Sequence, residues 1–309
     1  AAYKPIGKLE IGASIGGDLN EYNGLKDLDE DGYPDPIDMF PEDKDLVTEY
    51  DHYVRQAFTQ TDDSVTAQRF AQDAIDYGVI DDTKKEDLFN LNDNTSSSLI
   101  YSLDIGYPII ERDNFGMTVF SHFTQIQDYG WGITAPGAIF NIGNFLTLSA
   151  EYRKQSEKFL FGYFNNTYEL ERAKFVETPT GLRPVTKQET LENITESMSG
   201  YFAGLNINLF GFATVDMKYE DLKGEKDDLE DRSIYGSLNL SDKILPVIHE
   251  AGAYYVQNHV QNFQEWKTPS TIMGYVMSYD FNGTIIGIEY RYTFRDVDGN
   301  GLIQGDNET

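Results

Sequence analysis

The 309-residue chain contains no cysteine and only four histidines. Without thiols there is no disulfide framework, no thiolate zinc site and no cysteine nucleophile, and four histidines leave little room for a histidine-rich metal site. Basic residues are scarce, with 24 Lys+Arg against 52 Asp+Glu and a formal net charge of -28. Nucleic-acid binding needs a basic face to meet the phosphates, so nucleic acid is excluded as a partner. No stretch approaches the roughly 18–20 apolar residues of a membrane-spanning helix. The chain opens Ala1-Ala2-Tyr3, with neither a charged nor an apolar leader segment. That start fits a chain whose export signal has been removed and fits a trimmed chain equally well.

What is abundant is aromatic: 21 Tyr and 19 Phe, 14% aromatic with the two Trp, beside 27 Gly and a mean hydropathy of -0.47. Most of the chain alternates with a period of two, the mark of a strand with two unlike faces. Along 284–294, Ile286, Ile288, Tyr290, Tyr292 and Phe294 share one face, and Gly287, Glu289, Arg291 and Thr293 the other. Residues 197–209 set Tyr201, Ala203, Leu205, Ile207 and Leu209 against Gly200, Gly204, Asn206 and Asn208. Residues 9–16, 99–107, 145–153 and 213–219 repeat the pattern. The polar face pairs opposite charges two residues apart, as in Glu151/Arg153, Asp216/Lys218 and Glu289/Arg291. The segments are about 9–12 residues long, the length that crosses a bilayer at a tilt, whereas strands of soluble sandwiches run about 5–6 residues.

These features resemble those of bacterial outer-membrane β-barrels. The resemblance implies an all-β fold: a closed antiparallel transmembrane barrel of about 12–14 strands in the outer membrane, with the lipid bilayer as its partner. Strands are expected near 8–18, 97–109, 115–127, 131–140, 144–155, 158–175 (one strand or two), 197–209, 211–221, 232–241, 249–259, 270–280 and 283–294. Short links are expected at 111–114, 141–144, near Gly211 and at 281–283. Strand parity requires the stretch 157–196 to hide one extra strand or a re-entrant segment. The expected lumen lining is Glu10, Asp104, His122, Glu151, Arg153, Asp216, Lys218, Glu289 and Arg291. Gly287 to Phe294 resembles the C-terminal β-signal of such barrels, although fifteen residues follow it. Trp131 and Trp266 fall near strand ends, where aromatic side chains anchor at the interface.

The domain plan read from the sequence is a first strand in 1–19, an acidic insertion in 20–95, further strands in 96–294 and an acidic tail in 295–309. The insertion has little alternation and carries about half of the net charge. Within it, 62–77 reads as a short helix behind Asp62 and Asp63. A structured insert of this length is a functional loop or small domain rather than a linker. A second excursion, 171–196, turns at Pro179, Gly181 and Pro184.

The sharpest motif runs from Asp27 to Asp38. Carboxylates fall at relative positions 1, 3, 5, 9 and 12 (Asp27, Asp29, Asp31, Asp35, Asp38), with Gly32 at 6 and the Tyr33 carbonyl at 7. Hard oxygen ligands at this spacing suit calcium, and the carboxylates repel one another unless a cation neutralises them. The stretch resembles a thrombospondin type 3 repeat, and Phe40-Pro41-Glu42-Asp43 continues the resemblance, with Asp43 and Asp45 as ligands for a second ion. Another calcium loop is expected at Asp296, Asp298, Asn300 and Leu302, closed weakly near Asn307. Calcium is thus the expected cofactor. Catalysis has little support beyond His122 with Asp104, and the chain is read as no enzyme. The favoured function is a pore or transport channel with a calcium-stabilised extracellular loop. The alternatives are a non-conducting anchor whose loops bind a partner protein, a polysaccharide or another copy of the chain, and a soluble calcium-binding β-sandwich adhesin.

Overall fold

The computed structural model describes residues 2–3, 7–61, 63–165, 167–178, 181–226, 229–243, 248–260, 263, 265–281, 283–294 and 303. The chain divides into two compact units. One comprises 1–15, 100–161 and 194–309, the other 16–99 and 162–193.

The architecture is all-β, dominated by one 12-stranded sheet. Its strands are β1 (Ala2–Tyr3), β2 (Glu10–Asp18), β3 (Ser98–Arg112), β4 (Phe115–Ile126), β5 (Trp131–Ile142), β6 (Leu146–Gln155), β9 (Met198–Leu209), β10 (Ala213–Gly224), β11 (Glu230–Leu240), β12 (Ile248–Val260), β13 (Thr271–Phe281) and β14 (Thr284–Thr293). They lie in sequence order, and every described pair is antiparallel. A separate hairpin pairs β7 (Ala173–Thr178) with β8 (Gly181–Thr186). Among the described residues β1 and β14 are the edges of the large sheet, and no pairing joins them.

The expected short links fall between β3 and β4, β5 and β6, β9 and β10, and β13 and β14. Because the strands alternate in direction, these turns share one end of the sheet. The long connections 19–97 and 156–197 leave from the other end. The strand expected over 158–175 is a correction: the described residues of 158–172 hold turns and a short helix, α3 (Tyr168–Glu171), and only 173–175 enters a strand, which belongs to the separate hairpin. β6 pairs directly with β9, so among the described residues 157–196 contributes nothing to the large sheet. The missing strand is β1, two residues too short to show any period.

Along β3, Tyr101, Leu103, Ile105, Tyr107 and Ile109 are exposed, while Ser102, Asp104, Gly106 and Pro108 between them are half-buried. Register carries this division from strand to strand, since paired residues share a face. On the polar face glycines admit large neighbours: a Cβ on Gly137 would lie 2.4 Å from the Phe120 ring.

The second unit is built the other way round. Leu46, Val47, Ala67, Ala71, Ala74 and Ile80 are buried. Helix α2 (Ser64–Asp76) packs its alanine face on α1 (Glu49–Phe58). Asp63 caps α2 by accepting from the Thr66 N–H, and Val65 and Phe70 are exposed. A capping box holds the start of α1: Thr48 Oγ1 accepts from the Asp51 N–H, and the Asp51 carboxylate accepts from the Thr48 N–H.

The excursion 162–193, with a fourth short helix α4 (Lys187–Thr190), belongs to the same unit as the insertion and is tied to it by a buried ionic knot. Glu21 is fully buried and accepts from Tyr163 and Tyr168 hydroxyls and from the Gln188 N–H. Tyr168 also donates to Asp18, 2.9 Å away, and Arg172 reaches the same carboxylate at 3.3 Å. Buried Lys187 pairs with Glu171 at 2.6 Å. Burial and the Glu21 charge push the Tyr163 and Tyr168 hydroxyls well above the usual tyrosine range, and burial pulls the Lys187 ammonium down against the opposing pull of Glu171.

Candidate functional site

The acidic loop lies in the second unit. Asp27, Asp29 and Asp31 bring one carboxylate oxygen each within 4.8 Å of the others. The backbone builds this convergence. Glu30 and Gly32 take left-handed φ values of 62° and 99°, so the chain doubles back and turns its N–H groups onto the carboxylates. Asp27 accepts from the Glu30 and Gly32 N–H groups at 2.9 Å each, and Asp31 accepts from the Tyr33 N–H at 2.8 Å. A Cβ at Gly32 would lie 2.3 Å from Asn92 Nδ2, so this position needs glycine on both counts. The Leu91 N–H donates to the Gly32 carbonyl and closes the insertion's end onto its start.

Asp38 lies outside this converging trio but close enough to feel its charge. Its side chain is buried; Oδ1 accepts from the Phe40 N–H, whereas Oδ2 is a buried oxygen with no hydrogen-bond partner. Asp29 Oδ2 is in the same condition. Burial, reinforced by the charges of Asp31, Asp29 and Asp27 and only partly offset by the Phe40 N–H, pushes the Asp38 carboxyl up to about 6. Asp31 is raised for the same reasons. Two buried carboxylate oxygens without donors are costly as they stand. An all-oxygen donor set with such orphaned atoms fits a hard divalent cation.

The other expected ligands behave differently. Asp35 accepts from Lys26 Nζ at 2.7 Å and from the Leu28 N–H at 2.8 Å. Although burial opposes it, this pairing holds its carboxyl below the usual range. Asp43 faces Arg55 at 2.7 Å and also accepts from the Asp45 N–H. Tyr33 stands at position 7, half-buried. Asp296, Asp298, Asn300 and Leu302 lie outside the described residues.

The second arrangement is the polar face of the sheet. Register places Asp104 opposite His122, Thr134 opposite Arg153, Asp216 opposite Asn206, Lys218 opposite Gly204 and Glu289 opposite Val276. Arg291 pairs with Gly274, and Glu10 alternates with Gly12, whose absent Cβ would sit 3.2 Å from an Asp104 oxygen. All nine expected lining residues therefore share one face. Glu220, Asp231 and Glu250 join them by the same register. They were missed because alternation was followed only to Tyr219 in β10, and because bulges blur β11 and β12. The signal for Glu220 was its position two residues beyond Lys218.

The centre of this face is a charged cluster. Arg153 is bonded to Glu151 at 2.7 Å and to Glu220, and its guanidinium lies 3.8 Å from the Phe202 ring centre and 4.9 Å from that of Phe161. Thr134 donates to Glu151. On β3 and β4, Asp104, His122, Thr124 and Ser102 form a continuous row of polar contacts. This acid–imidazole–hydroxyl order resembles a nucleophile relay, but both hydroxyls also bond to each other, as in a polar lining that satisfies its own donors. No family model matches the chain, and no curated protein matches it significantly.

Proposed function

We propose that the chain is an outer-membrane β-barrel whose polar face lines a pore and whose acidic loop holds calcium on the exterior. One observation carries this reading, the inversion of burial in the sheet. Leu103, Tyr201 and Ile288 are 59%, 69% and 66% exposed, while the side chains of Glu151, Arg153 and Glu220 are only 12%, 15% and 7% exposed. Each large apolar side chain left in water forfeits about 1.5–3 kcal/mol. A lipid surface removes that penalty, and a lumen accounts for the sheltered charges.

The outer face also has the layering of a membrane band. At the short-turn end stand Phe145, Phe210, Phe212 and Phe281, all exposed; toward the other end stand Tyr101, Tyr152, Tyr201 and Tyr219. Between Tyr201 and Phe210 the chain spans nine residues, or about 30 Å along the strand, which a tilt of about 40° reduces to about 23 Å, close to the expected apolar band. Strand direction is compatible with closure. Eleven long strands would bring β14 beside β2 running parallel; inserting β1, antiparallel to β2, makes the ring even and antiparallel throughout. Closure satisfies every edge group, which lipid demands.

In the loop, Asp27, Asp29, Asp31 and Asp38 would hold the ion. Calcium, when bound, neutralises their mutual repulsion and cross-links the 27–32 turn to residue 38. A second reading, a non-conducting anchor with binding loops, is favoured by the crowding of the polar face around Arg153, Phe161 and Phe202. Planar-bilayer recordings decide between the two: steady ohmic steps support the pore, and a silent bilayer containing inserted protein supports the anchor.

A further inference from the structure

We infer that the pore passes small inorganic cations in preference to anions, and that the Glu151–Arg153–Glu220 cluster is its main selectivity element. This deepens the pore reading and rests on it. The polar face carries Glu10, Asp104, Glu151, Asp216, Glu220, Asp231, Glu250 and Glu289 against Arg153, Lys218 and Arg291, as described above, so its fixed charge is strongly negative. At the cluster one guanidinium serves two carboxylates, so Arg153 adds no net positive charge to this part of the wall. Stacking on Phe202 and Phe161 holds the cation at the wall, where it cannot swing to form a positive constriction. Lys218 is drawn aside in the same way, its ammonium 5.1 Å from the Tyr235 ring centre.

Rings of fixed carboxylates select cations because a permeating anion must enter a negative potential between low-dielectric walls. In 0.1 M salt, where screening acts over about 10 Å, the excess corresponds to a preference on the order of five- to tenfold.

The test is the reversal potential of the full-length protein in planar bilayers under a tenfold KCl gradient. The inference expects a reversal potential of the sign set by potassium. Glu151→Gln should reduce it, because Arg153 then balances Glu220 alone. Lys218→Gln removes a cation from an open position and should increase it, and it keeps the test alive if the buried variant does not fold. A chloride-signed or near-zero reversal potential overturns the inference and leaves the pore reading intact. Cation preference that neither variant moves overturns its assignment to these residues. Absence of any conductance overturns the pore reading and this inference together.

Discussion

In the unit formed by 16–99 and 162–193, Leu46, Val47, Ala67, Ala71 and Ile80 are buried, and most acidic residues of the insertion meet water. In the sheet unit Leu103, Ile288 and Tyr201 are exposed, and the charges of Glu151, Arg153 and Glu220 are sheltered. One chain thus follows two burial rules. A single solvent cannot favour both, because apolar burial is driven by water and loses its drive where the surroundings are hydrocarbon. On the function proposed above, the contrast is that of an insertion and excursion built for water and a sheet built for lipid.

The comparison breaks first at Glu21. Glu21→Ala leaves the buried Tyr163 hydroxyl and the Gln188 N–H without their acceptor, while Tyr168 keeps Asp18, and should cost the second unit about 3–5 kcal/mol. Chemical denaturation followed by near-ultraviolet circular dichroism should show an early transition of the loop unit, with strand content surviving. Leu103→Arg addresses the sheet unit. With the apolar face in lipid it should destabilise the folded protein by about 2–4 kcal/mol in vesicles; on a water-facing sheet the same change would fall within about 0.5 kcal/mol.

The Asp38 carboxyl sharpens the account of the loop through pH. Its folded value of about 6 lies above its ordinary one, so in metal-free protein its contribution to stability is present below about pH 4 and is lost as pH rises through 6. The loss is of order 3 kcal/mol at neutral pH. Calcium binding needs the ionised carboxylate. Calcium affinity measured by calorimetry should therefore fall as pH drops below 6, by up to about tenfold per unit, and Asp38→Asn should flatten that dependence. The smallest effect is expected at Asp35→Asn: because Asp35 is engaged with Lys26, calcium affinity should change by less than about threefold, within the range of an exposed ion pair.

Much of the sheet was legible because period-two alternation is a strong signal over nine or more residues. The short links fell where Gly211 and Gly283, both with positive φ, punctuate it. β1 was not legible, since two residues carry no period. The strand expected over 158–175 arose from the aromatic run Phe159 to Tyr163, whose Phe159 and Tyr163 are buried in loop packing instead of facing outward. Helix α2 was readable from its acidic start and from Val65, Phe70, Ala71, Ala74 and Ile75, but of these it is Ala71 and Ala74 that pack, together with Ala67, while Val65 and Phe70 are exposed. Helix α1 escaped despite a legible Thr48-x-x-Asp51 box. Of the loop, the spacing named the three carboxylates that converge, Asp27, Asp29 and Asp31, but it could not show that Lys26 and Arg55 engage Asp35 and Asp43, because those pairings depend on the folded turn.

The absence of native cysteine makes the central claim directly measurable. Single substitutions at consecutive positions of β3, from Tyr101→Cys to Tyr107→Cys, can be spin-labelled in vesicles and their collisions with oxygen and with a water-soluble nickel chelate compared. The account predicts a period of two, with positions 101, 103, 105 and 107 favouring oxygen in the acyl chains and 102, 104 and 106 favouring the aqueous chelate. Uniform access of the chelate to both sets, in a protein that stays in solution without detergent, would contradict it.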